Sequence, residues 1–202
     1  MEGIVFYWLF WMYWVLTTFF VKKDNPYRFK ISIWLLFAII TSLHTIDLLG
    51  FQISATALFM LTTAYIVLGT IKGKTFLYMI LTSFIGMLAY TSFQLFELYD
   101  PVWIIFNRAW LLGLIMAYFT ILVERRFYMR LVTMVLSIAQ GEILFAIVLR
   151  RFSFDYEIGS LSCLDVMAIT AAFILAWSGF ERLTALFEHH FNHLEREKHK
   201  LS

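Results

Sequence analysis

The chain has little from which to build loops, cross-links or a hydrated surface. Two prolines, Pro26 and Pro101, and nine glycines in 202 residues leave few turn formers, so most of the chain must be helix packed on helix. A single cysteine, Cys163, excludes an internal disulfide and does not identify a compartment. Charged residues make up 15% of the sequence, where a soluble domain carries roughly 25%. There is no phosphate-binding glycine loop of the kind an ATPase uses. The basic residues fall in short clusters between apolar runs, which argues against nucleic-acid binding.

What is present is apolar: 61% of residues are hydrophobic and the mean hydropathy is +0.78. Seven runs are long enough to cross a bilayer: about 3–21, 31–49, 51–71, 75–96, 102–123, 127–149 and 158–180. Transmembrane β-strands need only ~9–11 residues and alternate strictly; these runs are longer and apolar on all sides. The connection at Leu49-Gly50-Phe51 is the tightest, and merging the runs there gives a six-helix alternative. The first run is crowded with aromatics, among them Trp8, Trp11 and Trp14. Met1-Glu2 precedes it and Lys22-Lys23 follows it, the reverse of a cleaved signal peptide, so it reads as an uncleaved anchor.

Loop charge gives the orientation. With the amino terminus outside, the inner loops hold Lys22, Lys23, Arg28, Lys30, Lys72, Lys74, Arg125, Arg126, Arg130, Arg182, Arg196, Lys198 and Lys200. The outer loops hold Arg150 and Arg151, and Arg108 lies within a run. Thirteen to two satisfies the positive-inside rule. The expected fold class is therefore all-α: a polytopic membrane bundle of seven transmembrane helices, amino terminus outside, carboxyl terminus in the cytoplasm. Residues 181–202 form a cytoplasmic amphipathic tail.

Asp100-Pro101-Val102-Trp103, Gly141-Glu142 and the opening Met1-Glu2-Gly3-Ile4 resemble the YphA-like membrane proteins of Bacillus-type bacteria, and the resemblance covers the whole length. It implies a multi-helix fold in the bacterial cytoplasmic membrane, in contact with the lipid bilayer. It carries over no catalytic or ligand residue.

Arg108 stands out, because an intramembrane charge is costly and faces a partner or a wet cavity. The acids available within the spans are Asp47, Glu142 and Asp165. Counting ~1.5 Å per helical residue puts Arg108, Glu142 and Asp165 ~10–12 Å below the outer surface, Gln94 and His44 at ~9–11 Å, and Asp47 at ~5 Å. With Asn107 and Gln140 these residues form the candidate intramembrane polar cluster. One reading is structural: Arg108 pairs with Glu142 or Asp165, and Gln94, Asn107 and Gln140 hydrogen-bond across helices at ~0.5–2 kcal/mol each. The other is an acidic pocket for a cation, an amine or a proton path. His44 and Asp47, three apart, would meet on a helix, as an isolated hydrogen bond or as a proton relay. Gln140 and Glu142, two apart, would serve different neighbours. Cys163 has no His placed to activate it and reads as a packing residue.

In the tail, Leu183, Phe187, Phe191 and Leu194 make a helical stripe, which suggests self-association, as a homo-oligomer, or a partner helix. His189 and His193 have a chelating spacing, but no Cys or protease-type Glu joins them, and a solvated face is the favoured reading. Neither a metal nor another cofactor is expected.

A retinal protein needs a membrane lysine, and no span has one. A zinc-dependent seven-helix hydrolase needs several intramembrane ligands, yet His44 is the only span histidine. Gly159-Ser160-Leu161-Ser162 is a poor match to a rhomboid motif. The sequence thus points away from an enzyme, with no catalytic residue assigned, and towards an accessory, sensor or scaffold subunit of the membrane. A small transporter or cation pathway using the acids is the alternative, weakened by the absence of a proline within any span and of a convincing inverted repeat.

Overall fold

The computed structural model describes the backbone of residues 2–48, 50–100, 102 and 107–201, and side chains through 188. Seven α-helices are described: α1 (Ile4–Val15), α2 (Pro26–Thr41), α3 (Ala55–Thr70), α4 (Lys74–Tyr99), α5 (Arg108–Val123), α6 (Phe127–Arg150) and α7 (Leu161–Leu201). A π turn, Leu16–Phe20, prolongs α1. By length and composition, α4, α6 and α7 as far as Glu188 can each cross a membrane; α1 with its π turn, α3 and α5 are shorter apolar helices. The core is formed by α4 on α6, α5 on α7, and α7 between α1 and α6.

Close approach at the α4–α6 seam depends on missing side chains, as at many membrane helix contacts. A Cβ at Gly141 would stand 2.5 Å from Cδ1 of Tyr90, and one at Gly86 would overlap Ser137. Elsewhere, Asn25 caps α2 by accepting from the Tyr27 amide, with Pro26 at the first helical position.

One expectation is corrected. The second apolar run does not stay helical to residue 49, nor does the third begin as helix. Thr45–Leu48 (β1) and Phe51–Ser54 (β2) form an antiparallel hairpin, with Leu48 opposite Phe51 and Gly50 at φ 79°. The physical reason lies in the residues: Thr45-Ile46-Asp47-Leu48 and Phe51-Gln52-Ile53-Ser54 alternate apolar with polar, β-branched and aromatic types recur, and glycine supplies the turn. Ile158 extends the pairing, its N–H donating to Gln52 O and its carbonyl accepting from Ser54 N. The Arg150 guanidinium stacks 4.4 Å over Phe51.

The tail continues α7 without a break to Leu201. Leu183 and Phe187 are exposed on it; Phe191, Leu194 and the histidines at 189, 190, 193 and 199 lie outside the described side chains.

Candidate functional site

The polar centre of the bundle is the carboxylate of Glu142, 1% exposed in the middle of α6. Its Oε1 accepts from the Tyr90 hydroxyl at 2.6 Å and from Gln94 Nε2 at 2.8 Å, both on α4. Its Oε2 accepts from the Tyr156 hydroxyl at 2.9 Å and from the Gly159 amide at 3.2 Å, both in the α6–α7 connection. Four donors from two segments therefore occupy both oxygens.

The network continues through Gln94, whose Oε1 accepts from Arg108 Nη2 at 2.7 Å. The amide can face both ways because one end donates and the other accepts. Arg108 Nε in turn lies 2.7 Å from Glu97 Oε2. One ion pair, Glu97–Arg108, and two hydrogen bonds, Arg108–Gln94 and Gln94–Glu142, thus join four side chains in a row. Its charged outer end is half-buried and its inner end fully buried.

Two features of this chain differ from expectation. Arg108 is not deep in a span: among the described residues it opens α5, with Asn107 as the cap accepting from the Ala109 amide at 3.0 Å. Its ion-pair partner is Glu97, not Glu142 or Asp165, because α4 runs on to Tyr99 and brings Glu97 up beside Gln94. Asp47 and His44 are also outside the cluster. Both are exposed, Asp47 on β1 and His44 just before it, so the helical pairing expected of them does not form.

Asp165 has a separate task. Its Oδ2 accepts from the Gly3 amide and its Oδ1 from the Phe6 amide, each at 2.7 Å. It caps α1 from across the bundle and satisfies donors that a helix start leaves open. Gln140 points to another neighbour, donating to the Tyr65 hydroxyl at 2.6 Å. Cys163 is buried in the apolar core with Leu164 and Met167.

A second polar knot at the opposite end of α6 was not singled out by the sequence, which counted Arg130 among loop charges. Arg130 is 3% exposed. Its Nε donates to the Glu124 carbonyl at 2.7 Å, and Nη1 to Ser178 at 3.0 Å. Nη1 and Nη2 form a fork on the Glu181 carboxylate at 2.8 and 2.9 Å. The legible signal was the i, i+3 pair Ser178–Glu181, which puts two acceptors on one face of a helix. Among the described residues, no three His, Cys, Asp or Glu side chains converge as a metal set.

The arrangement ties helices together through polar groups embedded in an apolar bundle, with both oxygens of Glu142 occupied. Comparison with known proteins agrees with that setting. The model of the YphA-like integral membrane protein family matches residues 2–200. The chain belongs to this family. It is 31% identical over 185 residues, 92% of each chain, to a protein of Bacillus subtilis (strain 168) named "Uncharacterized protein YphA". No solved structure matches it. As a YphA-like integral membrane protein, the chain contacts the lipid bilayer, and its exposed Trp8, Phe19, Phe20 and Phe29 are suited to that solvent.

Proposed function

We propose that this YphA-like chain is a non-enzymatic scaffold or accessory subunit of the bacterial cytoplasmic membrane. In this reading seven helices cross the bilayer, the amino terminus lies outside, and the end of α7 projects into the cytoplasm. The observation that carries the reading is the saturation of Glu142. Both its oxygens are taken by donors of the same chain, so a solute passing there would have to break a finished network rather than complete an open one. The Arg130 fork on Glu181 supports the second half of the reading: it fixes the direction in which α7 leaves the bundle, as an arm that meets a partner must be fixed.

The test has two arms on the full-length protein. In liposomes, wild type and Glu142→Gln should be equally silent for proton and monovalent-cation flux. In native membranes, photo-crosslinkers placed along residues 190–200 should give a discrete adduct. That adduct should be competed away by excess unlabelled wild-type chain but not by a chain truncated after Glu188, which keeps the Arg130–Glu181 fork. Saturable flux in wild type that Glu142→Gln abolishes would replace this reading with a transporter that uses the intramembrane acids.

A further inference from the structure

A cavity of about 480 Å³ lies away from the Glu142 network, along the seam between α1 with its π turn and α2. Its lining changes character from end to end. Lys23, Asn25 and Arg28 stand at one end; Ile33, Leu36, Phe37 and Ile40 line the rest, with Trp14 on the opposite wall. The four aliphatic and aromatic residues follow the i, i+3, i+4, i+7 spacing of a single helical stripe.

The π turn shapes this seam. Leu16–Phe20 is wound more widely than an α-helix and meets the first turns of α2 at Arg28 and Ser32. Polar contacts hold the seam at its basic end: Arg28 donates to the Thr18 carbonyl through Nε at 3.1 Å and Nη2 at 2.5 Å. The Ser32 hydroxyl bonds to Thr17 and Thr18 at 3.3 Å each. Such single π turns occur frequently at functional sites.

Exposed apolar residues on a membrane protein need no special occupant. A concave groove with cations gathered at one end is a more specific feature. From Phe29 to Ile40 the stripe runs ~16 Å, about half of the ~30 Å hydrocarbon core, which is the depth of one leaflet. Lys23 is exposed and makes no hydrogen bond or ion pair among the described residues. Between residues 22 and 30, Lys22, Lys23, Arg28 and Lys30 outnumber the single acid Asp24, which does not line the groove. Basic side chains at this level attract anionic lipid headgroups, and the positive end of the α2 dipole adds to the same field.

We propose that the α1–α2 groove binds an anionic phospholipid, with its headgroup phosphate against Lys23 and Arg28 and one acyl chain along the Ile33–Ile40 stripe. The full-length protein, delipidated in detergent, would be titrated with phosphatidylglycerol and with phosphatidylcholine. Retained lipid is read by native mass spectrometry and melting temperature by differential scanning fluorimetry.

Phosphatidylglycerol should be retained preferentially and raise the melting temperature. Lys23→Gln should cut that retention about fivefold, the effect of one basic residue at an anionic surface. Ile33→Trp, at a position already 51% exposed, should fill the groove and abolish the shift while the lipid-free melting temperature stays at the wild-type value. Equal retention of the two lipids would reduce the groove to an ordinary lipid-facing surface and overturn the proposal. So would displacement of the phosphatidylglycerol effect by millimolar inorganic phosphate, which would make this a free-anion site. Retention unchanged in both variants would place the lipid elsewhere and overturn it as well.

Discussion

Tyr90 and Glu142 are 52 positions apart in the sequence and 2.6 Å apart in the fold, and the residue beside Glu142 makes that possible. Gly141 offers no side chain, so the Tyr90 ring lies flush against α6 and its hydroxyl reaches the carboxylate. Packing and hydrogen bonding here are one arrangement, not two independent contributions.

Replacing Glu142 by Gln leaves one accepting oxygen and turns an amide N–H2 towards donors. The expected loss is about 2 kcal/mol of stability in detergent, given the cost of stranded donors and the modest value of each hydrogen bond between membrane helices. Tyr90→Phe should cost about 1 kcal/mol, and the double variant should fall short of the sum by a similar amount. Denaturant titration followed by helical signal measures all three. A Glu142→Gln protein as stable as wild type would show that the network contributes nothing.

Gly141→Ala and Gly179→Ala form a matched pair. The first places a methyl group against the Tyr90 ring; the second meets nothing within 4 Å. Overpacking should make Gly141→Ala less stable by about 1–3 kcal/mol. The helix propensity of alanine should make Gly179→Ala more stable by about 0.5–1 kcal/mol. Melting temperatures that move in the same direction would contradict the seam described here.

Asp165→Ala removes the cap of α1, at an expected cost of about 1–2 kcal/mol, whereas Asp165→Asn keeps an accepting oxygen and should lose less. Hydrogen exchange localises the effect. The amides of Gly3 and Phe6 should exchange faster in the alanine variant while those in the middle of α6 keep their wild-type protection. Uniform acceleration along the chain would assign Asp165 a global role instead.

Arg130→Lys keeps the charge and loses the fork. Because Arg130 is buried and bonded to three residues, the exchange should cost about 2–3 kcal/mol. Glu181→Gln, on the half-exposed side of the same pair, should cost no more than about 1 kcal/mol. Limited proteolysis near residue 181 reports on both; equal effects of the two substitutions would argue against a buried anchor.

The sequence made the membrane setting, the helical architecture and the central members of the network legible, because apolar runs interrupted by single polar residues have few other readings. Arg108, Gln94 and Glu142 do meet. The hairpin went unread because hydropathy averages over a window, and Thr45 to Ser54 is apolar enough to prolong its neighbours; the alternation within it carried the information. Glu97 falls just past the apolar run 75–96, although the backbone of α4 continues to Tyr99. Tyr90, Gln94 and Glu97, spaced four and three apart, form a polar stripe that becomes visible once the helix is extended. Arg130 was hidden by the opposite effect, since a charge near the end of an apolar run reads as loop. Asp165 could not have been matched to Gly3 and Phe6 from spacing, because its partners are backbone amides.

That last contact has a consequence for biogenesis. The carboxylate that receives the amides of Gly3 and Phe6 lies some 160 residues after them in the chain, so it is made later than they are. During synthesis α1 therefore waits with an unfinished end until α7 has been made. A chain stopped between α1 and residue 165 should leave that end open to proteases, and the arrival of Asp165 on α7 is the event that closes α1 against α7.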